Sequence, residues 1–388
     1  MKKLFVSLLT FAFLVFPLLS GADYNGRKIV TFRDSLLNER KKDEIIKRHG
    51  WKIKHLDRAN ASVVFLNSRV DEEDLLKNSD VLRVEDDVIV TIDARGGNAN
   101  ASAPVQTLPW GIDRIDAELV WPGGNLADPV KVAVVDTGID FKHSDLKDNI
   151  KGGINTINPL KSAQDDNGHG THVAGTIGAL NNTIGVVGGA PLVDLYAVKV
   201  LGANGSGFLS DIIEGLDWAA SNGMQVVNMS LGTTSDIQAF HDAIIRTKNA
   251  GVTLVAAAGN SGGAVNFPAA YQEVIAVSAI DSANNIASFS SRGSEVDLAA
   301  PGVSVFSTYK GNKYATLSGT SMASPHVSAS AALVINTPAS ALYDVNLNNK
   351  WDPDEVQKKL QDSAVDLGTL GYDTLYGWGL VNAFLAVQ

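Results

Sequence analysis

Val130–Asp136 reads VKVAVVD, a run of valines and an alanine broken by one lysine, with no alternation of apolar and polar positions. A strand that shows one face to water alternates, whereas a continuous apolar run belongs in a sheet covered by helices on both faces. LYAVKVL (195–201), QVVNMSL (225–231), VTLVAAAGN (252–260) and EVIAVSAI (273–280) have the same character. Helical patterns lie between several of them, among them LSDIIEGLDWAASNG (209–223) and DIQAFHDAIIRTKNA (236–250). This βαβ rhythm predicts an α/β fold from about Leu108 to the C-terminus, a doubly wound and mostly parallel sheet. Reactive groups are then expected at the carboxyl ends of its strands.

Upstream the pattern changes. KIVTFR (28–33), WKIKHL (51–56), SVVFLN (62–67) and VLRVEDDVIVTI (81–92) read as strands. Helical patterns fall around 36–49 and 71–78, giving the order βαββαβ of a small ferredoxin-like α+β unit. With so many charges and few aromatics this unit is expected to need a partner surface. ARGGNANASAPVQ (94–106) follows, a small-residue stretch that reads as an exposed, cuttable linker. At the very start, two lysines precede a largely apolar run from Leu4 to Leu19 and then Ser20-Gly21-Ala22. That is the pattern of a secretory signal cut after Ala22, so the product is expected outside the cell and off the membrane.

Composition narrows the function. The chain has no cysteine, which excludes disulfides and thiolate metal sites. Residues 23–95 carry 15 Lys/Arg and 15 Asp/Glu, but from Gly96 onward 15 face 27, so no basic footprint for nucleic acid exists. Such an acidic surface keeps a protein soluble or holds cations.

Four polar residues end or follow these apolar runs. Asp136 closes VKVAVVD before Thr137-Gly138, where an Asp also serves as an ordinary turn residue. His169 stands between Gly168 and Gly170 in DDNGHGTHVAGTIGAL (165–180), where glycines permit close approach. His169 and His172 are three apart, but no third ligand follows at a zinc spacing. Asn260 ends AAAGN and supplies a neutral amide donor. In LSGTSMASPHV (317–327), small residues clear an approach to Ser321 at the mouth of an apolar helix. Unpaired N–H groups there favour developing negative charge, and Pro325 is expected in the first turn. Together these are the parts of a serine hydrolase: a nucleophile, a base, an orienting carboxylate and an oxyanion donor. The chain order Asp, His, Ser is one of the unrelated orders in which convergent triads occur.

VVDTGID (134–140), NGHGTHVAGT (167–176), YAVKVLGANGSG (196–207), NMSLG (228–232), AAAGN (256–260) and GTSMASPHV (319–327) together resemble the motif blocks of subtilases, in the family's order. The resemblance runs from about Gln106 to the C-terminus, and the βαββαβ unit resembles the family's propeptide. It implies that 23–95 is an intramolecular chaperone and inhibitor, 96–107 a processing linker and 108–388 the peptidase domain. It implies that Asp136 orients, His169 acts as base and then acid, Ser321 attacks, and Asn260 shares the oxyanion with the Ser321 N–H. Gly205, Ser206 and Gly207, with Ser230, Leu231 and Gly232, would flank an extended substrate, a pairing that tolerates many side chains. The loop 261–266 is shorter than in familiar members, which leaves the floor of the specificity pocket open.

The resemblance also implies structural calcium. Gln106, Asp145 and Asn182 would give side-chain oxygens and Leu180, Ile184 and Val186 carbonyls, an all-oxygen set that suits the ion. A departure is the insertion YDVNLNNKWDPDEVQ (343–357), which fits an EF-hand loop. Asp344, Asn346, Asn348, Lys350, Asp352 and Glu355 stand at positions one, three, five, seven, nine and twelve, although an Asx-rich surface loop reads the same way. Partners implied are protein or peptide substrates and the chain's own pro-segment as inhibitor, with a monomeric mature enzyme. A single DTG without a second such carboxylate motif argues against an aspartic protease. A non-catalytic relative would lack one of the triad residues, and none is missing.

Overall fold

The structure is a computed structural model that describes residues 25–33, 37–92, 94–96 and 101–388. The signal expected at 1–22 lies outside the described residues, and no helix among those described is long and apolar enough to cross a membrane.

The first unit runs β1 (Arg27–Phe32), α1 (Glu39–Ile46), β2 (Gly50–Leu56), β3 (Ala61–Leu66), α2 (Arg69–Leu76) and β4 (Val81–Asp86). Its sheet has the antiparallel order β2-β3-β1-β4, as the βαββαβ reading predicts. Val30, Phe32, Ile46, Leu66 and Leu75 fill a small core between sheet and helices. The stretch 81–92 departs from its reading as one strand. After β4 the chain turns at Asp87, and β5 (Ile89–Thr91) leaves for another sheet. The turn is held because the buried Asp87 carboxylate accepts from Ser210 N–H and Oγ, both at 2.8 Å, and pairs with Arg27 Nε at 2.6 Å. The described part of the linker is exposed at Ser102, Ala103, Val105 and Thr107 and is also paired. β6 (Arg95–Gly96) pairs with Leu317 and Ser318, Ala101 bridges Tyr314, and Val105 and Thr107 bridge Ile184 and Val186.

After α3 (Trp110–Arg114) the large sheet forms from β7 (Lys131–Asp136), β8 (Ile150–Asn155), β9 (Asp194–Lys199), β11 (Val226–Met229), β12 (Thr253–Ala257), β13 (Ile275–Ile280) and β14 (Val296–Pro301). Its order is β14-β13-β12-β11-β7-β9-β8, and every pairing is parallel. The switch from β7 to β11 across the sheet opens a crevice at the carboxyl ends, where ligands bind in such folds. The short β10 (Ser206–Phe208) lies outside this sheet. One face carries α4 (His169–Gly178) and α7 (Thr320–Ile335), the other α5 (Leu209–Ser221) and α6 (Gln238–Asn249), with separate apolar layers on either side. The hairpin β15 (Val305–Tyr309) and β16 (Lys313–Ser318) leads into α7, and α8 (Pro353–Asp362) and α9 (Ala383–Ala386) close the chain.

The first unit docks on α5 and α6. Asp87 receives Ser210 in the first turn of α5, and Glu85 receives the Ala239 N–H of α6 at 3.3 Å. Carboxylates at helix N-termini complement the partial positive charge there. Lys54 adds pairs to Asp211 and Glu214, and Arg83 pairs with Asp242.

Candidate active site

Asp136 ends β7 and is fully buried. His169 opens α4, and its Nδ1 lies 2.9 Å from both Asp136 carboxylate oxygens. The approach depends on Gly170: a Cβ there would come 2.2 Å from the Gly138 carbonyl and 3.1 Å from Asp136 Cβ. Asp165 anchors the helix start by accepting from the N–H groups of Asn167, Gly168 and Thr171 and from the Thr171 hydroxyl. The His169 Nε2 has no hydrogen-bond partner among the described residues.

Ser321 stands in the first turn of α7, and its hydroxyl donates to the Ser230 carbonyl at 3.2 Å. Pro325 lies deeper in this helix than the first turn expected for it. Proline has no N–H to bond the carbonyl four residues back. Here that carbonyl, of Ser321, accepts instead from the Ser230 hydroxyl at 2.9 Å. Ser230 in turn receives Asn228 Nδ2 at 2.9 Å, and Asn228 Oδ1 accepts from Ser324 and Ser328 of α7. The break that small residues and a proline make in the helix is thus tied to β11.

Asn260 follows β12. Its Oδ1 accepts from Thr320 N–H at 2.8 Å and Thr320 Oγ1 at 3.1 Å, which fixes the plane of the amide. Asn260, Thr320 and Ser321 line one cavity of about 300 Å³ together with Gly232 and with Thr91 and Ile92. The two segments expected to flank an extended substrate lie on either side of residues 89–92. β10 pairs antiparallel with β5, Ser206 opposite Thr91 and Gly207 opposite Val90, and Ile92 N–H donates to the Gly205 carbonyl at 3.0 Å. On the other side Gly232 and Thr91 exchange two hydrogen bonds, at 3.0 and 3.2 Å. Leu231 completes that edge. The chain's own segment 89–92 thus runs between these two edges.

The residues named for calcium also come together. Asp145 is fully buried, and no Lys or Arg among the described residues pairs with it. It accepts from Asn182 Nδ2 at 2.6 Å, Val186 N–H at 2.9 Å and the Tyr314 hydroxyl at 3.1 Å. Burial is the largest influence on this carboxyl and raises its pKa. Gln106 Oε1 accepts from the Asn182 N–H, and Ile184 N–H donates to Asn182 Oδ1. Leu180 N–H donates to the Asp145 carbonyl at 2.9 Å. In the 344–355 loop, Asp344 accepts from the N–H groups of Asn348 and Asn349, and Asp352 Oδ2 from the side-chain amides of Asn346 and Asn348. Asn349, at position six, adopts φ 58°. Glu355 instead completes a capping box with Asp352 at the start of α8, and Lys350 N–H bonds Asn348.

Sequence reading did not single out Asp165, Asn228 or Thr320; the last two act through contacts far along the chain, whereas Asp165 acts within the start of its own helix. For Thr320 the signal was its place beside Ser321; for the others none stood out.

A buried carboxylate bonded to an imidazole, a serine at a helix N-terminus and an amide beside it, all at the carboxyl ends of parallel strands, make up the equipment of an α/β serine hydrolase. Comparison with known proteins narrows this class. The Subtilase family model matches residues 127–379. Subtilisin Savinase of Lederbergia lenta is 49% identical over 284 residues, 73% of this chain and 100% of that one. An alkaline protease of Shouchella clausii is 48% identical over 292 residues, 75% and 73% of the two chains. Subtilisin amylosacchariticus of Bacillus subtilis subsp. amylosacchariticus is 40% identical over 405 aligned positions, 100% of this chain and 99% of its own. The chain belongs to the subtilase family and is a subtilisin-like serine endopeptidase.

Proposed function

We propose that the chain is made as a self-processing, exported pro-enzyme in which Asp136, His169, Ser321 and Asn260 hydrolyse peptide bonds of broad sequence. Ser321 Oγ attacks the substrate carbonyl while His169 Nε2 takes the hydroxyl proton, and Asp136 holds the imidazole with Nδ1–H facing its carboxylate. The tetrahedral oxyanion is met by the Ser321 N–H and by Asn260 Nδ2, since the Asn260 oxygen is engaged by Thr320. His169 then returns the proton to the leaving amine, the C–N bond breaks, and water repeats the sequence to release the acid. Hydrogen bonds along Gly205–Gly207 and Ser230–Gly232 grip main chain, which every peptide offers.

The observation that carries this reading is the pro-segment strand Ile89–Thr91 paired in the groove beside Ser321. Residues 23–95 thus serve as chaperone and inhibitor, and 108–388 as the peptidase domain. Ile92 lies at the cavity, and Arg95 pairs with Ser318, three positions before Ser321. We place the cut between these two residues, ahead of the linker 96–107 in which the sequence reading puts it. A signal at 1–22 fits export, and the mature enzyme acts as a monomer.

Calcium is proposed at Gln106, Asp145 and Asn182, with carbonyls of Leu180, Ile184 and Val186. The donor set is all oxygen, Asp145 is buried without a cationic partner, and Gly185 leaves the space that a Cβ would fill 2.2 Å from Asp145 Oδ2. When bound, the ion would supply rigidity to this turn and no chemistry at Ser321. The 344–355 loop is proposed as a weaker site, because two of its side-chain ligands are neutral Asn and Glu355 already caps α8.

N-terminal sequencing of the secreted product tests the reading. Wild type should begin at residue 93, 94 or 95, and Ser321→Ala should remain uncut with its pro-segment attached. Normal maturation of purified Ser321→Ala without added protease would defeat it.

A further inference from the structure

We propose that Lys199 is a positioning residue for Asp136 and His169: its ammonium fixes the turn after Asp136 against the loop before His169. The inference rests on the triad assigned above and adds to it a side chain that does not line the cavity beside Ser321. β9 pairs with β7 so that Lys199 stands opposite Asp136. The strand is apolar along LYAVKVL, and this lysine is buried at its end. Burying an ammonium is costly unless its charge and its three N–H groups are all met. Here they are met. Nζ donates to the Thr137 carbonyl at 2.6 Å, to Asp166 Oδ1 at 2.7 Å and to the Leu201 carbonyl at 2.9 Å.

What the ammonium holds is Thr137. The Thr137 N–H donates to Asp136 Oδ1 at 2.6 Å, the same oxygen that faces His169 Nδ1 at 2.9 Å. Its hydroxyl donates to Asp165 Oδ1 and accepts from the Gly170 N–H, both at 2.9 Å. The carbonyl is the remaining polar group, and Lys199 takes it. Gly138 follows, with φ +103°, and brings no Cβ to restrict rotation of the peptide that carries this carbonyl. Lys199 supplies the restriction. The other end of the tie is Asp166, three residues before His169, whose own carbonyl accepts from Lys310 Nζ at 2.6 Å. Asp166 is exposed but the ammonium is not, and charge-assisted bonds made away from water are strong and directional. One buried cation thus joins the strand that carries the carboxylate to the loop that carries the imidazole. A misplacement of about 1 Å in such a pair costs about a hundredfold in rate.

The test compares mature wild type with Lys199→Met and Asp166→Ala, all rates being taken per site labelled at completion. It reads kcat and KM on a peptide, and separately the rate at which a small organophosphate labels Ser321. The organophosphate needs the nucleophile and its base but not the strands that grip a peptide. Lys199→Met should lower kcat and the labelling rate together, by about tenfold to a hundredfold, with KM nearly unchanged. Asp166→Ala alters an exposed side chain and should lower both rates in the same direction by a smaller factor. It decides the matter if Lys199→Met fails to mature. A rise in KM with an unchanged labelling rate would overturn the inference, because the lysine would then act on the substrate edge through Leu201. A lowered Tm with kcat and labelling as in wild type would also overturn it, leaving Lys199 a structural residue and the triad intact. Failure of wild type both to cleave the peptide and to be labelled at Ser321 would instead overturn the triad on which the inference rests.

Discussion

Acid should unfold this protein through two histidines that take no part in the proposed chemistry. His172 and His326 are fully buried. His172 Nε2 donates to the carbonyls of Val305 and Ala315, both at 3.1 Å, and its Nδ1 has no partner among the described residues. His326 Nδ1 donates to the Met322 carbonyl at 2.8 Å, and its Nε2, likewise unpartnered, faces Gly111. Protonating either ring would bury a charge and an N–H with no acceptor. Burial accordingly pushes His172 down to about 3, with help from His169, and His326 down to about 4. In the unfolded chain an imidazole takes up its proton near ~6.5. Because the folded values are depressed, the stability involved is intact above pH ~6.5 and is lost as pH falls toward 4, at about 1.4 kcal/mol per pH unit for each histidine. By pH 4.5 that amounts to about 2–3 kcal/mol each and about 5 for the pair, a fall in Tm of roughly 5–8 °C for a chain of this length. Carboxylates raised by burial, Asp297 to about 6 among them, act in the opposite sense. They are common to wild type and variants and cancel in the comparison. The assay is thermal unfolding from pH 7.5 to 4.5 in the Ser321→Ala background, which prevents self-digestion, beside His172→Asn and His326→Gln. Each substitution should make the decline shallower by about 1.4 kcal/mol per pH unit. Equal slopes would refute the reasoning.

Asn260→Ala should lower kcat by ~10²–10³ with KM nearly unchanged, the usual loss for one oxyanion donor, as steady-state kinetics on a peptide substrate will read. Gln106 already reaches Asn181 and Asn182 while residues 89–92 occupy the groove, so uncut Ser321→Ala should bind calcium as tightly as mature enzyme in titration calorimetry. Chelation should shorten half-life on heating before it reduces initial rate, because an ion at a hundredfold excess over its Kd adds about 2.7 kcal/mol of stability. Asp145→Ala should abolish more of that protection than Glu355→Ala. Asp87→Ala leaves Arg27 and the Ser210 N–H without their carboxylate, at about 2–5 kcal/mol. Inhibition of the mature enzyme by added pro-segment should weaken about 30-fold or more.

The two-face burial of a parallel strand is a local property, written residue by residue in runs such as 130–136 and 252–260, so the sheet and the places where its strands end were legible. Asp136, His169, Asn260 and Ser321 could be named because each sits at the end of such a run or at a helix mouth. Tertiary structure decided what joins them. The run 81–92 is one strand by its pattern, yet its first half pairs with β1 and its second with Ser206–Phe208, because Asp87 is held by a helix end 123 residues away. Pro325 looked like a first-turn residue; deeper in α7 it is tolerated because Ser230, 91 residues from Ser321, bonds the carbonyl it leaves vacant. The linker that composition marks as exposed is also paired through its backbone at Ala101, Val105 and Thr107, and backbone hydrogen bonds carry no side-chain signature. Periodicity reports which face of an element is buried; which distant donor meets which acceptor depends on how the chain crosses itself, and only the folded molecule settles that.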